Sequence, residues 1–247
     1  MLKVIPLLGH VDADHAPSDY HAIACINLTL TINQLKGKQK QAHMARVKIA
    51  SKAAMTHSSV LGIAFSGVGS DDGLDEKSLQ LFIEAIEGGF TSAGVLGQPY
   101  TRYEACCATA ISLRSRVQVV KHGVLRNLAG PNKGRTAQWV DVVCADGGQA
   151  RLINTSQSAD GYGPIVRKRV VATMLRFAAG YDLESNALTS VTNGVVVGDL
   201  NIDKNQVGAV AKKVGLDGQL FLCAATGGCP TFPLISPASI DYKTLNS

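Results

Sequence analysis

In the segment INLTLTINQL, Ile26, Leu28, Leu30 and Ile32 alternate with Asn27, Thr29, Thr31 and Asn33. A period of two places the first set on one face and predicts a half-buried strand. After Gly37 the pattern changes. KQKQAHMARVKIASKAAM is rich in good helix formers, with Met44, Val47 and Ala54 on its apolar side. SVLGIAF is a short apolar run and predicts a strand. In DEKSLQLFIEAIEGG, Leu79, Phe82, Ile83 and Ile86 follow the i, i+3, i+4, i+7 spacing of a helix that Gly88-Gly89 is expected to end.

Further along, YEACCATAISLRSR predicts a closely packed helix of small residues. RVQVVKHGVL predicts a strand, and TAQWVDVVCADGGQARLI a hairpin turning at Asp146-Gly147-Gly148. Gly163-Pro164 and Gly180 bound a helix with Val166, Val170, Met174 and Phe177 on one face. GVVVGDLNI predicts another strand, and DKNQVGAVAKKVGLDG a short helix ending at Gly215. The order of elements lacks the regular βαβα rhythm of a doubly wound sheet. It predicts an α+β fold of mixed helices and mainly antiparallel strands, in one globular unit over residues 1–247 with a soft boundary near 90–100.

Composition narrows this picture in two respects. Hydrophobic residues make up 46% of the chain and charged residues 17%, which is globular. Aromatics are only 5%, so Val, Ile, Leu and Ala must build the core. The uncharged stretch from Gly218 to Ile240 contains three prolines and three glycines, which argues against a spanning helix and for a buried extended segment. No membrane association is expected. The six cysteines (Cys25, Cys106, Cys107, Cys144, Cys223 and Cys229) include no C-x-x-C pair, so they read as structural thiols in a reducing compartment. A cytoplasmic location follows, or a virion interior if the chain is a coat protein.

Charge is segregated along the sequence. Residues 20–70 carry six cations (Lys36, Lys38, Lys40, Arg46, Lys48 and Lys52) and no acid. Residues 71–87 carry six acids against Lys77. Seven cations lie between Arg102 and Arg135, opposed by Glu104 alone, and Arg167, Lys168, Arg169 and Arg176 cluster on one helix. Such blocks suit a polymer of phosphates, because each phosphate neutralised releases counterions.

Few motifs carry chemistry. FSGVGSDDGLDEKS has the strand, glycine turn and helix of a phosphate cradle, but its G-x-G-x-x-x-G spacing is not the dinucleotide pattern. Asp71, Asp72, Asp75 and Glu76 also occupy the helix start, where Asp75 is the expected N-cap, and would repel a second anion. GPNKGRTAQW offers Lys133 and Arg135 on a loop without the P-loop pattern. The remaining candidate is GHVDADHAPSDYH. On an extended segment His10, Asp12 and Asp14 point to one side, and with His15 they provide imidazole and carboxylate ligands for a divalent transition metal.

The leading expectation is a non-enzymatic, self-associating protein without a cofactor, coat- or nucleoprotein-like, that binds a nucleic-acid backbone without sequence preference. RNA and further copies of the chain are the expected partners. Lys36, Lys38, Lys40, Arg46, Lys48, Lys133, Arg135, Arg167, Lys168 and Arg169 would contact phosphates. The rival expectation is a metal-dependent hydrolase centred on His10, Asp12, Asp14 and His15.

Overall fold

The computed structural model describes residues 2–7, 21–28, 32–69, 74–98, 109–128, 136–143, 147–156, 163–185, 187, 193–200, 202 and 204–216. They form two mixed β-sheets and four helices, an α+β fold in which most strand pairs are antiparallel.

The first sheet contains β1 (Leu2–Leu7), β2 (His21–Asn27), β3 (Val60–Ser66), β4 (Gly97–Gln98) and β5 (Thr109–Arg114), in the order β1-β2-β3-β5-β4. Its outer face is covered by α1 (Gly37–Met55) and α2 (Glu76–Ser92). The second sheet runs β6 (Gln118–Leu125), β7 (Ala137–Val143), β8 (Gln149–Ser156) and β9 (Asn193–Asp199) in sequence order. It is backed by α3 (Pro164–Ala178) and α4 (Lys204–Lys213). Among the described strands, only β2–β3 and β8–β9 are parallel, and each of these pairs is joined by a crossover through a helix, α1 and α3 respectively.

The two sheets face each other across an apolar layer that includes Ile23, Cys25, Leu61, Ala64, Ile111, Leu113, Val140, Val142, Leu152 and Val197. A central strand so placed is buried on both faces. This explains why β3, VLGIAFS, is buried throughout and shows no alternation. It also corrects two expectations. The strand expected over INLTLTINQL lies earlier, over HAIACIN, with Ala22, Ala24 and Ile26 against the helices and Ile23 and Cys25 against the second sheet. The small residues at the end of YEACCATAISLRSR form β5, buried at all six positions, and not a helix. Residues 103–108 of that segment lie outside the described residues, as do 218–240.

The hairpin β7–β8, the Pro164 start of α3 and the Asp75 cap of α2 fall where the sequence places them. Asp75 Oδ1 accepts from the Ser78 amide at 2.9 Å. However, α2 runs through Gly88-Gly89 to Ser92. The reason is packing. A Cβ on Gly89 would sit 2.5 Å from Ser51 Cβ and 2.7 Å from the Lys48 carbonyl oxygen, so the glycine is what lets α2 lie against α1. Among the described residues, no helix is long and apolar enough to cross a membrane.

Alanine is a better helix former than glycine by about 1 kcal/mol. Gly89→Ala is nonetheless expected to lower stability by about 1–3 kcal/mol, because the added methyl meets α1 backbone that cannot yield. Urea denaturation measures this. A net gain in stability would mean that the helices do not pack this closely.

Candidate functional site

The apolar layer between the sheets ends abruptly. Side chains alternate along a strand, so the positions that continue Ile23-Cys25 in β2, Ala64 in β3, Ile111-Leu113 in β5, Val140-Val142 in β7, Leu152 in β8 and Val197 in β9 all face inward. At one end of the sandwich these inward positions become Asn27, Ser66, Thr109, Gln138, Asn154 and Asp199. Register puts them in one band: Asn27 pairs with Ser66, Ser66 with Thr109, and Gln138 with Asn154. Asp199 closes β9 beside Ser156.

The band is deep and largely polar. Ser66 and Asn154 are fully buried, while Asn27 and Asp199 stand half-buried at its mouth. Asn154 Nδ2 donates to the Phe65 carbonyl at 2.8 Å and the Ala110 carbonyl at 3.0 Å, tying the second sheet to two strands of the first. At the mouth, Asn27 Nδ2 donates to Asp199 Oδ2 at 3.3 Å, a second link between the sheets. Asn154 Oδ1, Ser66 Oγ and Thr109 Oγ1 are buried without a hydrogen-bond partner. Unpaired buried polar atoms are uncommon, and several in one band call for a water, an ion or a substrate group. Among the described residues, Asp199 is the single carboxylate in the band.

Backbone segments approach each other closely beside this mouth. Gly198 has φ +111, and a Cβ there would lie 1.9 Å from the Thr155 carbonyl oxygen and 3.0 Å from Asn154 Oδ1. Gly67, at φ +71, would meet the Leu28 carbonyl oxygen at 2.3 Å. Both positions therefore require glycine, and both adjoin the band.

All four helices begin at this same end, since each follows a strand whose carboxyl end is there. Three of the helix starts are cationic, α4 with Lys204 and, more densely, α1 and α3. Neither α1 nor α3 has a side-chain N-cap bond or an acid in its first turn. Instead α1 opens with Lys36, Lys38 and Lys40, and α3 carries Arg167 and Lys168. Cations at a helix N-terminus oppose the macrodipole, and an anion would relieve that conflict. The α2 start is the opposite case. Hydrogen bonds from the Ser78 hydroxyl and amide hold the Asp75 carboxyl below its ordinary value of 3.8, so this terminus already has its anion.

The residues expected from sequence to bind phosphates are thus only partly brought together. Lys36 and Lys38 are exposed and Lys40 donates to Ser78 Oγ at 2.7 Å, all three near the α1 start. Arg167 and Lys168 are half-buried near the α3 start, and Arg169 is exposed. Arg46 and Lys48 are exposed further along α1. Lys133, Arg135, His10, Asp12, Asp14 and His15 lie outside the described residues. Among the described residues, no group of three His, Cys, Asp or Glu side chains could hold a metal. Sequence reading missed Asp199, Asn154 and the inward role of Asn27. The available signal was that apolar runs end in polar residues in ACIN, IAFS, LINTS and VVVGD.

No protein-family model matches the sequence, and neither does any curated protein. Several solved structures are similar at low identity. A D. rerio TDP2 complexed with single-strand DNA product is 15% identical over 76% of this chain and 64% of that one, with a TM-score of 0.42. ANGEL2, a 2',3'-cyclic phosphatase, is 11% identical over 74% and 53%, with a TM-score of 0.45. The inositol polyphosphate 5-phosphatase domain of SPsynaptojanin, in complex with inositol (1,4)-bisphosphate and calcium ion, is 10% identical over 88% and 60%, at 0.44. The chain therefore spans between 53% and 64% of the lengths of these three structures.

The expectation of a self-assembling coat protein or nucleoprotein is corrected at this point. The similar structures are TDP2 and two phosphatases. Among the described residues, the cations on which that expectation rested also do not form one face: Lys36, Lys38, Arg167 and Lys168 lie near helix starts at the band's end, while Arg46 and Lys48 lie further along α1.

Because the folded Asp75 carboxyl titrates below its ordinary value, its contribution to stability is complete above that value. The contribution is lost as pH falls from 3.8 through the depressed folded value. Asp75→Asn is expected to flatten this acid limb in urea midpoints measured across the window. An unchanged limb would show that the cap does not titrate in this way.

Proposed function

We propose that this protein is a divalent-cation-dependent phosphoester hydrolase whose site is the polar band around Asn27, Asn154 and Asp199. The observation that carries the reading is the coincidence of an all-oxygen donor band, holding one carboxylate, with two uncapped cationic helix starts. The donor chemistry fits a hard cation: a carboxylate, carboxamide oxygens and hydroxyls, with Asn154 Oδ1, Ser66 Oγ and Thr109 Oγ1 still unpartnered. A magnesium ion is commonly held by one or two carboxylates plus waters and substrate phosphate oxygens. When bound, such an ion supplies polarisation of a phosphoryl oxygen and offsets charge developing on it.

The chain's own residues have separable parts in this reading. Asp199 provides the negative charge, and Asn27 holds its carboxylate in place through Nδ2. Asn154 fixes the spacing of the two sheets, and with it the width of the band. Lys36, Lys38, Arg167 and Lys168 draw a polyanion to the mouth, so substrates with several phosphates, single-stranded nucleic acid among them, are favoured over a lone phosphomonoester. The donor set replaces the transition-metal cluster at His10, Asp12, Asp14 and His15 as the proposed centre.

Two experiments test this. Asp199→Asn is expected to reduce magnesium-dependent cleavage of a labelled oligonucleotide by about a hundredfold or more, in keeping with the loss of one preorganised electrostatic group. Full activity in this variant, or a wild-type protein inactive on phosphoesters with magnesium or manganese, overturns the reading. Separately, Lys36→Glu with Lys38→Glu is expected to stabilise α1 by about 0.3–1 kcal/mol per site. The same pair is expected to weaken oligonucleotide binding and to make its salt dependence shallower by about one to two units of slope. Unchanged binding would remove the two lysines from the substrate path.

A further inference from the structure

A cavity of about 400 Å³ opens on the helix side of the second sheet, away from the polar band. It is lined by β6, β7 and β8 and by the chain at the end of α3, with Trp139, Phe177 and Tyr181 among its walls. Arg151 is three residues before Asn154 in β8 and on the opposite face of the sheet, so the cavity lies about 10 Å along the strand from the band.

Its walls are rigid for identifiable reasons. Arg151 donates from Nε and Nη2 to both Asp141 carboxylate oxygens, at 2.7 and 2.8 Å, and from Nη1 to the Phe177 carbonyl at 2.9 Å. Its guanidinium also lies 4.1 Å from the Phe177 ring centre and 5.3 Å from that of Trp139. Trp139 and Phe177 meet edge to face at 5.3 Å. Beneath the indole, Gly123 leaves space that a side chain would fill, since a Cβ there would come within 3.0 Å of the ring. Asp182 is tied down by the Glu184 and Ser185 amides, and Tyr181 lies under Arg176.

The charges in the wall balance: Lys121 and Arg151 against Asp141 and Asp182. The Arg151–Asp141 pair is internally satisfied, so neither ion is left to select a charged ligand. What remains is aromatic surface with a small mixed set of donors and acceptors, Lys121, Gln149, Tyr181 and Asp182, at the rim. An anion would meet Asp182 and a cation would meet Lys121. A neutral planar ring carrying both donor and acceptor edges meets neither objection. From this we infer that the cavity is a binding site for an uncharged heteroaromatic ring of the nucleobase class, distinct from the phosphoester site and independent of it.

The chain has one tryptophan, and it is in the cavity wall, so the protein carries its own reporter. Adenosine and guanosine titrated into the full-length protein are expected to change Trp139 fluorescence saturably, with ribose and inorganic phosphate giving no change. Lys121→Ala and Gln149→Ala, both at exposed positions, are expected to weaken nucleoside binding roughly three- to tenfold each, the range for a lost hydrogen bond. Asp199→Asn is expected to leave it unaltered, which separates this site from the phosphoester site. The inference is overturned by the absence of a saturable signal up to the solubility limit of either nucleoside. An equal response to ribose, or nucleoside affinity unchanged in both rim variants, would equally overturn it.

Discussion

The architecture turns on one carboxamide. Asn154 is fully buried between two apolar sheets and donates both of its amide protons, to Phe65 O in β3 and Ala110 O in β5. Apolar contacts between facing sheets are non-directional and would tolerate sliding. Two hydrogen bonds from a single planar group to two strands do not. They set the separation and offset of the sheets at the end where the inward positions become polar. Because both protons are committed, the amide orientation is fixed and the oxygen is forced to face the band. The same bonds that align the sheets therefore create the unpartnered acceptor of the site.

Much of the fold was legible because it follows local rules. Pro164 and Gly180 bracket α3, Asp75 caps α2, and the Gly147-Gly148 turn falls between β7 and β8 as turn chemistry requires. The misplacements share a physical cause. In a helix–sheet–sheet–helix arrangement the central strands are buried on both faces, so the period-two signal vanishes where the strands really are. The alternation that starts at Ile26 begins only as β2 ends, at Asn27. The Thr109–Arg114 strand was mistaken for a helix because small residues suit both a tight helix interface and a strand packed between neighbours.

The site was less legible than the fold. Its members are separated by up to 172 residues, as Asn27 and Asp199 are. They belong to types (Asn, Ser, Thr and Gln) whose ordinary place is a turn or a solvated surface. Only their inward orientation makes them unusual, and orientation depends on register, which sequence spacing does not supply across sheets. The basic blocks were visible, but their meaning was not. Sequence shows that Lys36 and Lys38 are neighbours of other cations; the fold adds that they sit at an uncapped helix start beside a carboxylate-bearing band.

The division of the chain between the sheets has a consequence for how the molecule acquires its site. Residues up to Arg114 supply the first sheet with α1 and α2, and those from Gln118 onward supply the second with α3 and α4, so the sandwich is assembled from two sequence-contiguous halves. Each half pairs its own strands, and neither contains both Asn27 and Asp199. The band therefore belongs to neither half alone, and exists only where the two halves are docked on each other.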